Sequence, residues 1–362
     1  MKYLNLLLVF GIVAIVAELL GWSPTVVFFA SGLAMIPLAG LMGKGTEALA
    51  TRTGPRLGGL LNATLGNAAE LIIVIVAIRE GVVNPGIRDQ LQELVRASLT
   101  GSILGNILLV LGFSILLGGV KHGVQRFDRS HAGLNSTMLL LAAAALIIPS
   151  LFSHTIDVSN HDAVEYLSLG VAGVMILIYV LALIFQLRSP TAHTLEDDEF
   201  KTAQLDAPHW SLLKSLVVLV LATASIAWMS EILVGSVEHV VTQIGITEFF
   251  LGIIIIPIIG NVAEHLVAVQ VALKNQMELS LAISVGSSLQ IALFVAPLAV
   301  FFSLMMGNPL TLVFNQFELI ALVAAVLIAG WVSLDGESNW LEGAMLLAIY
   351  AIIGLAFFWL PT

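Results

Sequence analysis

The 362-residue chain contains no cysteine. Disulfides, thiolate metal sites and cysteine nucleophiles are therefore excluded. Charge is scarce as well: Asp, Glu, Lys and Arg supply 10% of residues, against 59% hydrophobic. A soluble domain carries about 25% charged and about 45–50% apolar residues, so so few charges cannot cover a water-facing surface. Basic residues are the rarer sign, and a formal net charge of −10 argues against nucleic acid or an acidic surface as partner. No H-E-x-x-H motif occurs, and Glu264-His265 lacks a second histidine at helical spacing, which argues against an intramembrane metalloprotease.

What is present is a series of apolar runs of helix-spanning length, which makes a bilayer the expected solvent. Continuous helices satisfy every backbone amide internally there. The shorter, alternating strands of a membrane barrel are absent. Eleven spans are expected near 3–21, 24–42, 57–78, 97–119, 134–152, 164–186, 212–235, 248–273, 279–305, 317–334 and 341–360, the fourth preceded by a charge-rich helical extension. The first run is long for a signal peptide and is read as a retained helix. Alternating the sides leaves only Arg79, Arg88 and Arg96 opposite the N-terminus, with the other eleven Lys and Arg on its own side. The positive-inside rule then makes the N-terminus cytoplasmic and the C-terminus external. The expected host is the plasma membrane.

The chain repeats itself. Gly66-Asn67-Ala68-Ala69-Glu70 in the third span matches Gly260-Asn261-Val262-Ala263-Glu264 in the eighth at four of five positions. Each is followed by a second shared pair, Gly101-Ser102 and Gly286-Ser287. The motif spans lie five apart, an odd number, so they cross the bilayer in opposite directions. That is the pattern of an inverted-topology repeat, which places its substrate near the midplane. The expected organisation is all-α and polytopic: an added helix over 1–22, a five-helix repeat over 23–188, an acidic cytoplasmic linker over 189–210, and a second five-helix repeat over 211–362. The linker's Glu196-Asp197-Asp198-Glu199 cluster reads as a solvated spacer or as a cation-gathering mouth.

A carboxylate deep in a membrane needs a partner, a proton or water. Neither Glu70 nor Glu264 has a basic residue nearby on its own helix. Two such acids form a hard anionic site suited to Ca²⁺, which takes 6–8 oxygens in flexible geometry. Asn67 and Asn261 lie three residues earlier on the same helical faces and can add amide oxygens. Gly66 and Gly260 permit close helix approach or a local break that frees carbonyls. Pro257 strengthens the case for a break in the second half. When the cation leaves, burial and repulsion favour proton uptake by the pair. Ca²⁺ and H⁺ then compete for one site, and two alternately open arrangements make an antiporter. Helix packing is the plainer role for these residues, interhelical glue in the case of the asparagines.

Ser102, Asn106, Ser287, Ser288 and Gln290 are candidates to line the same cavity, and equally candidates for helix packing. His265 is either a proton relay or a residue bonded to a neighbouring helix. Trp228, Trp331, Trp340 and Trp359 read as interfacial anchors. No cofactor is expected. The expected partners are Ca²⁺, protons and lipid; a homo-oligomer remains open.

The paired motifs, together with Gly286-Ser287-Ser288-Leu289-Gln290, resemble the cation/proton exchanger branch of the calcium/cation antiporter superfamily. The resemblance spans essentially the whole chain. It implies Ca²⁺/H⁺ exchange, sometimes with Mn²⁺ or other divalent ions, and Glu70 and Glu264 as essential carboxylates. It also implies that Asn67 and Asn261 belong to hydrophilic patches, and that the first helix pair of each half slides. The Ser/Thr- and Pro-rich motifs of the sodium/calcium branch are absent. A Na⁺-coupled exchanger on the same scaffold is the alternative, with a passive channel further behind.

Overall fold

A computed structural model describes residues 4–53, 58, 61, 64–153, 155, 161–188 and 210–360. The acidic cluster at 196–199 lies outside them. The described chain is helical apart from turns, an extended segment and one two-stranded pairing. Its helices are α1 (Leu4–Leu19), α2 (Pro24–Thr53), α3 (Ala68–Val83), α4 (Pro85–His122), α5 (Arg129–Ser153) and α6 (His161–Arg188). The remainder are α7 (Leu212–Gly235), α8 (Val237–Ile244), α9 (Glu248–Ala272), α10 (Met277–Met305), α11 (Gln316–Val332) and α12 (Trp340–Phe358).

Among the described residues, eight helices are long and apolar enough to cross a membrane, and α1 and α11 are shorter apolar helices. The charge-rich extension expected before the fourth span is helical, because α4 begins at Pro85. The second helix runs to Thr53, past the expected end near 42. The expected third span is interrupted where it carries the motif: Gly66 and Asn67 form a turn, and α3 starts at Ala68.

Three helices change pitch internally. Wider turns occupy Gly105–Val110 in α4, Leu251–Ile255 in α9 and Ile291–Val295 in α10. Two have a visible cause. Pro257 and Pro297 each follow such a turn by two residues. A proline removes one N–H and its ring clashes with the carbonyl four residues back, here Ile253 and Leu293, so the helix widens to pass it.

The chain divides into two compact units. The first comprises Met1–Val76, Leu177–Ile244 and Ile259–Ala263. Its core is α2 packed along α7, with α1 and α8 against α2. Small residues set the approaches of α2: a Cβ on Gly45 would meet the Leu219 backbone of α7 at 3.5 Å, and one on Gly32 would meet Ile259 Cδ1 of α9 at 2.7 Å. Gln243 of α8 accepts hydrogen bonds from Ser23 at 3.1 Å and Thr25 at 2.6 Å, fixing the start of α2.

The second unit holds Ala77–Ile176, Gly245–Ile258 and Glu264–Thr362. In it α4 crosses the wide turn of α9 so closely that a Cβ on Gly101 would lie 2.1 Å from the Ile253 carbonyl oxygen. The carbonyl displaced by Pro257 therefore occupies the space a side chain at 101 would need. Further along, α4 packs on α12 through Gly112, Gly119 and Gly343. The extended segment 308–315 is held by hydroxyls: Leu310 N–H donates to Ser303 at 2.7 Å, Leu312 to Ser168 at 3.0 Å and Phe314 to Ser150 at 2.9 Å. Serine side chains thus satisfy amides that a buried extended segment would otherwise leave unpaired. β1 (Gln125–Arg126) pairs antiparallel with β2 (Glu337–Ser338), with an Arg126–Glu337 ion pair at 3.0 Å.

Candidate functional site

The two motifs reach the structure in different local forms. In the first, the turn at Gly66-Asn67 ends the preceding segment, and Glu70 stands in the first turn of α3. Unpaired amides and the helix dipole favour a negative charge there. Glu70 is 5% exposed and Asn67 3%. The second motif lies within the continuous helix α9, with Gly260-Asn261 in the first unit and Glu264-His265 in the second.

The first unit joins part of both motifs. A Cβ built on Gly260 would lie 3.2 Å from Glu70 Oε1, so the Glu70 carboxylate packs closely against the bare backbone of Gly260. Asn261, 1% exposed, is the next residue. The bare face of α2 helps seat this stretch: Gly32 lies against Ile259 and Gly40 near Ala263. Glu264 follows Gly260 by four residues, about one turn and roughly 6 Å along the same helix.

The second unit assembles a directed hydrogen-bond chain. His265 Nε2 lies 3.2 Å from Asn106 Oδ1. That oxygen only accepts, so the ring nitrogen facing it carries a hydrogen. Asn106 Nδ2 donates to Ser287 Oγ at 3.1 Å, and the Ser287 hydroxyl bonds the Glu264 carboxylate. His265, Asn106, Ser287 and Glu264 thus come from α9, α4 and α10 into one run, and donor polarity points toward the carboxylate. Of the two roles expected of His265, the contact with Asn106 is the bond to a neighbouring helix.

The other candidates separate. Ser288, adjacent to Ser287, spends its hydroxyl on the Ser284 carbonyl at 3.0 Å and faces the Ile103 carbonyl at 3.4 Å, which is a helix-packing role. Ser102 is buried on α4 and Gln290 half-buried on α10. The matched pair Gly101 and Gly286 is unequal: the first sits against Ile253, and nothing lies within 4 Å of a Cβ on the second. The four tryptophans expected as anchors are all exposed. Among the described residues no three His, Asp or Glu side chains cluster to hold a metal.

Sequence reasoning passed over one buried acid, Glu318, 2% exposed at the start of α11. Its Oε2 accepts from the Asn315 N–H at 2.8 Å, completing a helix cap. The Asn-x-x-Glu spacing Asn315–Glu318 was the signal for that cap. Also passed over were the hydroxyls of Ser114, Ser280 and Ser284, which have no hydrogen-bond partner among the described residues.

Residues 23–188 and 214–359 match the sodium/calcium exchanger protein family. A Ca(2+)/H(+) antiporter of Synechocystis is 43% identical over 100% of this chain and 98% of its own length. A vacuolar calcium ion transporter of Schizosaccharomyces pombe is 37% identical, covering 99% of this chain and 85% of that protein. The solved structure of native YfkE superposes with a TM-score of 0.83 at 40% identity, covering 99% of this chain and 100% of that one.

Proposed function

The chain belongs to the sodium/calcium exchanger protein family, and from that premise we propose that it is a secondary antiporter exchanging Ca²⁺ for H⁺ across a membrane. Glu70 and Glu264 are the carboxylates that take either the metal or protons. The observation that carries this reading is the placement of the Glu70 carboxylate against Gly260, one helical turn from Glu264 on the same helix. Full-length relatives named as Ca²⁺/H⁺ antiporters support the same ion pair.

In this reading Asn67 and Asn261 add amide oxygens to the Ca²⁺ shell. Ca²⁺ requires ionised carboxylates, and protons neutralise them, so each ligand expels the other. Alternating exposure of this competition to two sides gives coupled exchange. The Ser287 hydroxyl, oriented by Asn106, bonds the Glu264 carboxylate.

The arrangement of eleven spans as an added helix and two inverted five-helix repeats belongs to this proposal. The offset of 185 residues that relates Gly101 to Gly286 also brings the wide turn at Gly105–Val110 onto 290–295, overlapping the wide turn at Ile291–Val295, which supports it. The proposal also places the N-terminus and central linker in the cytoplasm and the C-terminus outside, on the Lys and Arg asymmetry. An inward proton gradient at the plasma membrane then drives Ca²⁺ out of the cytoplasm. Na⁺ coupling is the weaker reading, because the Synechocystis relative's name specifies protons. The test is Ca²⁺ uptake into proteoliposomes driven by a pH gradient in Na⁺-free medium. Uptake that requires Na⁺ and ignores the pH gradient overturns the proposal.

A further inference from the structure

Among the buried hydroxyls outside the exchange site, three share one helix pair. Ser114 on α4 and Ser280 and Ser284 on α10 are fully buried, and none has a hydrogen-bond partner among the described residues. A serine inside a membrane helix ordinarily bonds the carbonyl one turn back, as Ser288 does to Ser284 at 3.0 Å and Ser136 to Ala132 at 2.8 Å. These three do not, so a packing role leaves their polarity unexplained.

Their placement is ordered. Ser280, Ser284 and Ser287 are spaced by four and three residues, which puts them on one face of α10. Ser114 lies eight residues, about two turns, beyond Asn106 on α4. The two helices pack along each other within the second unit, joined by the Asn106–Ser287 bond. The start of α10 meets β1, which follows the end of α4. The pair is therefore antiparallel, and Ser114, Ser280 and Ser284 all lie between the Asn106–Ser287 bond and that shared end. At the far end, Lys121 and Gln125 donate to the carbonyls of Leu273 at 2.9 Å and Ala272 at 3.0 Å.

We propose that Ser280, Ser284 and Ser287, with Ser114 on the neighbouring α4, form a proton-conducting row linking Glu264 to the Lys121 end of the α4–α10 pair. The proposal rests on the reading of Glu264 as an exchange carboxylate. Along the helix, Ser280 and Ser284 are about 6 Å apart and Ser284 and Ser287 about 4.5 Å. Those gaps exceed a direct hydroxyl contact and suit a single bridging water. A hydroxyl has one donor and two acceptor positions, so Ser287 can take a water donor beside Asn106 while donating to Glu264. A proton arriving at the far end is accepted on one oxygen, which releases its own hydrogen to the next. Ser287 finally gives its hydrogen to the Glu264 carboxylate and receives one from the water behind it. One proton moves, every hydroxyl is restored, and nothing is oxidised or reduced. Isolated hydroxyls do not supply the 6–8 oxygens that Ca²⁺ requires, so the row passes protons and not the metal.

The test compares two fluxes in proteoliposomes holding the full chain: pH-driven ⁴⁵Ca²⁺ uptake, and ⁴⁵Ca²⁺/Ca²⁺ exchange without a pH gradient, which needs no proton. For Ser280→Ala/Ser284→Ala, and separately for Ser114→Ala, the row predicts at least a tenfold loss of pH-driven uptake. Ca²⁺/Ca²⁺ exchange should stay within twofold of the parent and so reports an intact fold. Unchanged pH-driven uptake, or equal loss of both fluxes, overturns the row. Glu264→Gln, run alongside, separates the two ideas: if it retains pH-driven exchange, the carboxylate reading fails whatever the serine variants do.

Discussion

Gly260 and Glu70, from the two matched motifs, are packed so that a methyl group on the glycine would stand 3.2 Å from the glutamate Oε1. That contact is tighter than a relaxed Cβ environment, and the neighbour it presses is the charged oxygen itself. Gly260→Ala should therefore displace the carboxylate without unfolding the helix, since α9 is a regular helix at that position. The expected outcome is about a tenfold weaker Ca²⁺ affinity, or roughly 1.4 kcal/mol, by equilibrium ⁴⁵Ca²⁺ binding. Gly286→Ala, which meets nothing within 4 Å, should bind as the parent does.

Gly101 tests the helix crossing rather than the site. Its Cβ would lie 2.1 Å from the Ile253 carbonyl oxygen, which belongs to backbone and cannot swing aside. Gly101→Ala should destabilise the protein by about 1–3 kcal/mol or more, seen as a lower midpoint in detergent thermal unfolding. Gly105→Ala, with nothing within 4 Å, should leave the midpoint unchanged.

Ser150 holds the extended segment through the Phe314 N–H at 2.9 Å. Ser150→Ala leaves that buried amide without its acceptor, at a cost of about 1–3 kcal/mol. Thermal unfolding should register the loss, while transport per folded molecule stays near the parent value. A fall in transport without a stability change would place the segment in the transport cycle instead.

Competition between Ca²⁺ and protons fixes a sign. Binding needs ionised carboxylates, so Ca²⁺ affinity must fall as pH falls through their titration. With two coupled acids the plot of log Kd against pH approaches a slope of two protons per Ca²⁺. Isothermal titration across a pH series checks this, and an affinity independent of pH contradicts the exchange mechanism.

The sequence made much of this legible, for physical reasons. Apolar run length located the helices because a bilayer admits little else. The matched motifs were visible because a buried acid without a basic neighbour is costly, and two at corresponding places point to use. The break at Gly66-Asn67 was hinted at by glycine, yet its form as a turn with Glu70 opening α3 depends on tertiary context. The His265–Asn106–Ser287 chain was not legible, because it joins residues about 160 and 181 positions apart whose types also serve ordinary packing. The same holds for Ser288, which shares its neighbour's chemistry and differs only in which way it points. Ser114, Ser280 and Ser284 look ordinary in sequence until their missing partners are seen.

The most direct measurement is pH-gradient-driven ⁴⁵Ca²⁺ uptake into proteoliposomes by the parent, Glu70→Gln and Glu264→Gln. The account predicts robust uptake by the parent, collapsing when the gradient is dissipated, and uptake at background for both variants although they fold and insert. Sustained proton-driven uptake by either variant would contradict it.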